Sequence, residues 1–66
     1  MAYFAVNKNG VEKIFHGRCK PHRVNEHWEQ FVGPCIWIDE GLTLPRNYIL
    51  AYTGKKASWS DEPIRV

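Results

Sequence analysis

The chain has 66 residues and a formal net charge of +2, from nine Lys and Arg against seven Asp and Glu. That is one small domain, residues 1–66, which buries only about 60% of its unfolded surface and needs large side chains, a disulfide, a metal or a partner subunit for stability. Three Trp, three Tyr and three Phe supply the large side chains and exclude global disorder, while the near balance of charge excludes a strongly basic nucleic-acid binder.

The first element is a hairpin. Two β-prone runs, Tyr3-Phe4-Ala5-Val6 and Val11-Glu12-Lys13-Ile14-Phe15, flank Asn7-Lys8-Asn9-Gly10, whose Asn and Gly tolerate the positive φ of a tight turn. A three-residue loop with Gly10 left-handed pairs Phe4 with Ile14. A two-residue Asn9-Gly10 turn pairs Phe4 with Phe15. Both registers leave apolar groups on both faces, so the pattern does not choose between them.

From His16 to Pro34 the signal weakens. Gly17 and Pro21 interrupt the segment and Gly33-Pro34 ends it. Val24, Trp28 and Phe31 lie at a spacing of four and three, which fits one helical face, with Asn25 as cap, and equally fits an irregular loop with aromatic anchors. Cys35 to Asp39 then reads as a short strand, and Glu40-Gly41 turns it. Thr43-Leu44 continues extended, because a residue before proline avoids helical geometry.

Pro45 fits the first position of a helix, where its missing N–H costs nothing. Tyr48, Ile49 and Tyr52 share one face, and Gly54 is the expected stop, followed by Lys55 and Lys56 at the negative end of the helix dipole. Ser58 to Ile64 returns as a strand or arm anchored by Trp59, with Pro63 marking an edge or a strand end. The expected fold is α+β: an antiparallel sheet of three to four strands, hairpin first, with one helix packed on it near the C-terminus. The expected core is Phe4, Val6, Ile14, Ile36, Ile38, Leu44, Ile49, Tyr52 and Trp59.

The run Leu44-Pro45-Arg46-Asn47-Tyr48-Ile49, then Gly54-Lys55-Lys56, then Trp59-Ser60-Asp61-Glu62-Pro63-Ile64 resembles the ending of a group of small uncharacterised bacterial proteins that are phage- or prophage-associated. The resemblance covers about a third of the chain well and the first hairpin loosely. This chain has Asn47 where the group tends to have Gly, and Ala57 where it tends to have a larger apolar residue. The resemblance implies a bacterial or phage origin and carries over no activity or binding residues.

The remaining residues suggest five chemistries. His16, Cys19 and His22, with His27 and Cys35 further on, are spaced to share an ion. Small zinc modules, however, pair their cysteines about two to four residues apart, and Cys19 and Cys35 are sixteen apart; no metal or other cofactor is favoured. A Cys19–Cys35 disulfide would close a stabilising loop, but a cytoplasmic location is expected, which keeps thiols reduced: Met1-Ala2-Tyr3-Phe4 lacks the regions of a signal peptide, and no apolar run approaches the ~20 residues of a membrane span.

Cys19 beside His16 or His22 superficially pairs a nucleophile with a base, but 66 residues leave little room for a pocket of ~300 Å³. Asp39-Glu40 and Asp61-Glu62 are neighbours that point apart in a strand. No enzyme is expected. Arg18, Lys20 and Arg23 near Trp28 and Phe31 combine charge with stacking surface, as weak single-strand nucleic-acid binders do. The same segment suits a protein interface, with Trp28 either its anchor or a lid over the open sheet. The favoured expectation is a non-catalytic module that contacts an unknown protein, or a second copy through an unpaired strand edge, with Arg18, Lys20, Arg23, Trp28 and Phe31 as contact residues.

Overall fold

A computed structural model describes residues 1–32, 36–39 and 41–66, the side chains of Val32 and Ile36 excepted. Among these described residues, seven strands and one helix follow in the order β1 (Ala2–Val6), β2 (Glu12–His16), β3 (His22–Val24), β4 (His27–Val32), β5 (Ile36–Ile38), β6 (Leu42–Thr43), α1 (Tyr48–Thr53) and β7 (Ile64–Arg65). They form two antiparallel sheets rather than the single one expected: a four-stranded sheet in the order β6-β2-β1-β7 and a three-stranded sheet in the order β3-β4-β5.

The first hairpin takes the three-residue loop. Phe4 pairs with Ile14, the Asn7 N–H donates to the Val11 carbonyl at 2.9 Å, and Gly10 sits at φ 90°. This register sends Phe4, Val6, Glu12 and Ile14 to one face of the sheet and Ala5, Lys13 and Phe15 to the other. Both faces are covered. On the first, Phe4, Val6 and Ile49 of α1 form a buried cluster joined by Ile14, Leu44, Ala57 and Ile64. On the second, Ala5, Phe15 and Trp28 of β4 form another, closed by Trp59. The central sheet is therefore the middle of three layers. Gly41 approaches the Phe15 ring so closely that a Cβ there would lie 2.6 Å from two of its carbons.

The segment around Val24 to Phe31 is a second hairpin, neither a helix nor an irregular loop. Asn25 does not cap a helix; it opens a two-residue turn at φ 57°, a conformation asparagine tolerates. Val24, Trp28 and Phe31 do not share a face, because strand alternation sends Trp28 inward and Phe31 outward. The expected break at Gly33-Pro34, the strand start at Cys35 and the turn residue Glu40 lie outside the described residues.

Pro45 precedes α1 rather than starting it: its carbonyl accepts the Tyr48 N–H at 3.1 Å. Asn47 stands between them at φ 65°. Glycine adopts that geometry freely and asparagine at small cost. Glu12, on the helix-facing side of β2, accepts the Asn47 N–H at 2.6 Å and the Ile49 N–H at 2.8 Å. Gly54, at φ 76°, ends the helix, its N–H donating to the Leu50 carbonyl at 2.8 Å.

Of the expected core, Phe4, Val6 and Ile49 are fully buried, and Ile14, Ile38, Leu44 and Trp59 are half-buried. Tyr52 is corrected: it sets its ring edge on Phe4, 5.4 Å between centroids, and stays 64% exposed. Ile36 is a member of β5 whose side chain is outside the description. The largest buried side chains include Trp28 and Phe15, which were not in the expected core. The Ser58 to Ile64 segment is mostly a turn, with the Asp61 carboxylate accepting the Ser58 N–H at 2.9 Å. Directly after Pro63, Ile64 and Arg65 pair with β1 at the sheet edge, and Val66 exchanges backbone hydrogen bonds with Ala2 at 2.9 and 3.2 Å.

Candidate functional site

The Arg18 to Phe31 segment has two faces, and they separate the expected contact residues. The inner face holds Arg23, Trp28 and Gln30. Trp28 is 1% exposed and its indole N–H donates to the Val6 carbonyl at 2.8 Å. It is the lid of the second cluster and not a surface anchor, because burying both the ring and its N–H leaves nothing for a partner to touch.

Arg23 lies opposite Trp28 on β3. Its guanidinium is 4.6 Å from the Trp28 ring centroid and 5.2 Å from that of Trp59. Nε and Nη2 donate to the Trp59 carbonyl at 3.2 and 2.9 Å, Nη2 also to the Asp61 carbonyl at 3.1 Å, and Nη1 to Glu62 at 3.1 Å. The planar fork thus clasps the turn from Trp59 to Glu62, a task that a lysine's single ammonium cannot perform. Lys20 reaches the other Glu62 oxygen at 3.1 Å. That hydrogen bond and the Lys20 charge, then Arg23, hold the Glu62 carboxyl below the usual glutamate range. The charges of Arg23 and Lys20 are thus paired within the chain, and both residues are exposed.

Gln30 explains the path of the loop between the hairpins. Buried at 6% exposure, it donates from Nε2 to the carbonyls of His16 at 2.9 Å and Cys19 at 3.0 Å. Those residues therefore present their backbones inward, and both side chains are exposed. His22 faces outward and sets its ring against Trp37, 5.2 Å between centroids. Among the described residues no three His, Cys, Asp or Glu side chains converge to hold an ion; Cys35 is outside them.

The outer face of β3-β4-β5 is different. Trp37 on β5 pairs with Phe31 on β4, their rings 5.2 Å apart, and His22 adds the third ring. Phe31 is 36% and Trp37 44% exposed. Beside Trp37 an open hollow of about 580 Å³ is bounded by His22, Arg23, Val24 and Glu29. His27 and Glu29 pair with each other at 2.7 Å on the same face. Arg18 is exposed in the loop before β3 and makes no ion pair among the described residues. Trp37 was not among the expected contact residues. Its signal was present in Ile36-Trp37-Ile38, where alternation alone puts Trp37 on the face opposite its apolar neighbours.

No helix among the described residues is long and apolar enough to cross a membrane. No family model matches the chain, and no curated protein or solved structure matches it.

Proposed function

We propose that the protein is a cytoplasmic, non-catalytic interaction module, bacterial or phage in origin, that binds a partner protein through the outer face of β3-β4-β5. The observation that carries this reading is the exposed contact of Trp37 with Phe31 and His22. Large aromatics left exposed beside an open hollow have the composition of an interface centre. The inner-face residues instead have their polar groups answered within the chain. Phe31 remains a contact residue in this proposal, joined by His22 and Trp37, with Arg18 at the rim. A second copy of the chain is included among the partners.

Nucleic-acid binding has less support. Lys20 and Arg23 share one carboxylate, and the Trp28 ring is buried. A photo-crosslinking amino acid at position 37, compared with one at the exposed Leu42, tests the proposal in an extract of the source cells. A discrete protein adduct at 37 alone, abolished when Phe31→Ala is added, is the expected result. Equal adducts at both positions, or none, would sink it. Wild-type binding to an oligonucleotide that is lost in Trp37→Ala would replace the protein partner with a nucleic acid.

A further inference from the structure

The outer face of β3-β4-β5 is small. Its outward positions are His22, Val24, His27, Glu29, Phe31 and Trp37, whereas a stable contact between two folded proteins takes roughly 20–30 residues a side. One short segment of a partner chain matches it better than a globular surface.

The rings on this face form a corner rather than a plate. Trp37 on β5 reaches past β4 to His22 on β3. The His22 ring stands at 86° to the Trp37 ring and the Phe31 ring at 53°, each with its centroid 5.2 Å away. The polar chemistry is one-sided as well. An indole N–H can only donate. That of Trp28 is taken up by the Val6 carbonyl; that of Trp37 has no acceptor among the described residues, and the residue stays 44% exposed. The carboxylate of the face, Glu29, is held by His27 at 2.7 Å, and Arg23 borders the hollow beside Trp37. A ligand for this corner therefore brings an apolar body and acceptors, not cations or donors.

We propose that the corner binds a proline-rich segment of the partner protein in the polyproline II conformation, an inference that rests on the interface role given to this face above. One proline ring packs on Trp37 between His22 and Phe31, and a neighbouring carbonyl accepts the Trp37 N–H. Each part answers one observation. Proline has no backbone N–H, so such a segment offers carbonyl acceptors and few donors. Its rings supply apolar bodies without charge. The polyproline helix advances about 9 Å per turn, so a single turn covers a corner built from two ring contacts of 5.2 Å. The segment is extended before it binds, so it loses little conformational entropy and a small contact suffices. Pro21, Pro34, Pro45 and Pro63 stand far apart in this chain, so the segment belongs to a different protein.

Nuclear magnetic resonance titration of the full, nitrogen-15-labelled chain with decaproline tests the site, because Trp28, Trp37 and Trp59 each give one indole N–H signal. The Trp37 signal is expected to move and saturate at roughly millimolar peptide or below, while the Trp28 signal stays in place. An alanine-rich helical peptide and a glycine-serine peptide of the same length are expected to leave both unmoved. Phe31→Ala is expected to weaken binding roughly tenfold. Trp37→Phe, which keeps a ring and loses the N–H, is expected to weaken it roughly threefold or more, read at the Phe31 backbone amide. An unmoved Trp37 signal at about 10 mM decaproline, or equal binding of either control peptide, overturns the proposal. If decaproline is inert but the crosslinker at position 37 captures a proline-poor segment of a protein, this inference falls and the interface stands. If decaproline is inert and position 37 captures nothing, both fall.

Discussion

The inner and outer faces of the β3-β4-β5 sheet carry similar side chains in opposite circumstances. Each has a tryptophan and at least one nitrogen-bearing ring or fork beside it. On the inner face the Trp28 indole N–H is bonded, its ring is covered by Trp59 at 5.6 Å, and Arg23 is held by four acceptor contacts. On the outer face Trp37 touches two rings and is 44% exposed. Aromatic and basic residues close in sequence therefore do not identify a binding surface. What separates the two cases is whether the polar atoms already have partners inside the chain.

Mutation can break this contrast at several points. The largest effect is expected for Trp28→Ala, which removes a buried ring and leaves the Val6 carbonyl without its donor. A loss of about 3–5 kcal/mol in urea unfolding, comparable to the whole stability of so small a domain, is expected; an unchanged midpoint would mean that the inner face is not the core. Next comes Arg23→Lys, which keeps the charge and loses the fork. A loss of about 1–3 kcal/mol is expected from the bonds to Trp59, Asp61 and Glu62, and a neutral outcome would reduce the clasp to a surface ion pair.

A smaller effect concerns pH. Glu62 has a folded pKa below its unfolded one, owing first to the Lys20 hydrogen bond. Its contribution is therefore present above the unfolded value of about 4.3 and fades as pH falls through the lower folded value. Melting curves of the wild type should drop across that interval, and Glu62→Gln should flatten the drop. The group is exposed, so added salt should shrink the difference; identical profiles for both proteins would remove Glu62 from the clasp. The smallest effect is expected for Trp37→Ala, within about 0.5 kcal/mol. A large loss there would make Trp37 a structural residue and erase the distinction between the faces.

Local chemistry was legible where it is local. The first hairpin, its Gly10, the Gly54 stop and the Pro63 edge each follow from a residue's own backbone preference. The ambiguity of the hairpin register was itself informative, since apolar groups on both faces are what a sheet covered on both sides requires. The second hairpin was hidden by Gln30. A strand with Trp28 and Gln30 inward and Phe31 outward does not alternate in hydrophobicity, because the buried Gln30 is there to answer the carbonyls of His16 and Cys19. The Arg23 clasp lay beyond reach for a related reason. Its partners are 36 to 39 positions away, and nothing near Arg23 announces them. The C-terminal Trp59 to Pro63 run, which looked like a self-contained ending, is half of that contact.

One further consequence lies in Glu12. A six-residue helix has too few internal bonds to nucleate by itself, and its leading amides are held by a side chain 35 and 37 positions earlier. Tertiary contact therefore sustains α1: the Glu12 carboxylate holds its leading amides from the neighbouring strand, and Ile49 anchors it against Phe4 and Val6.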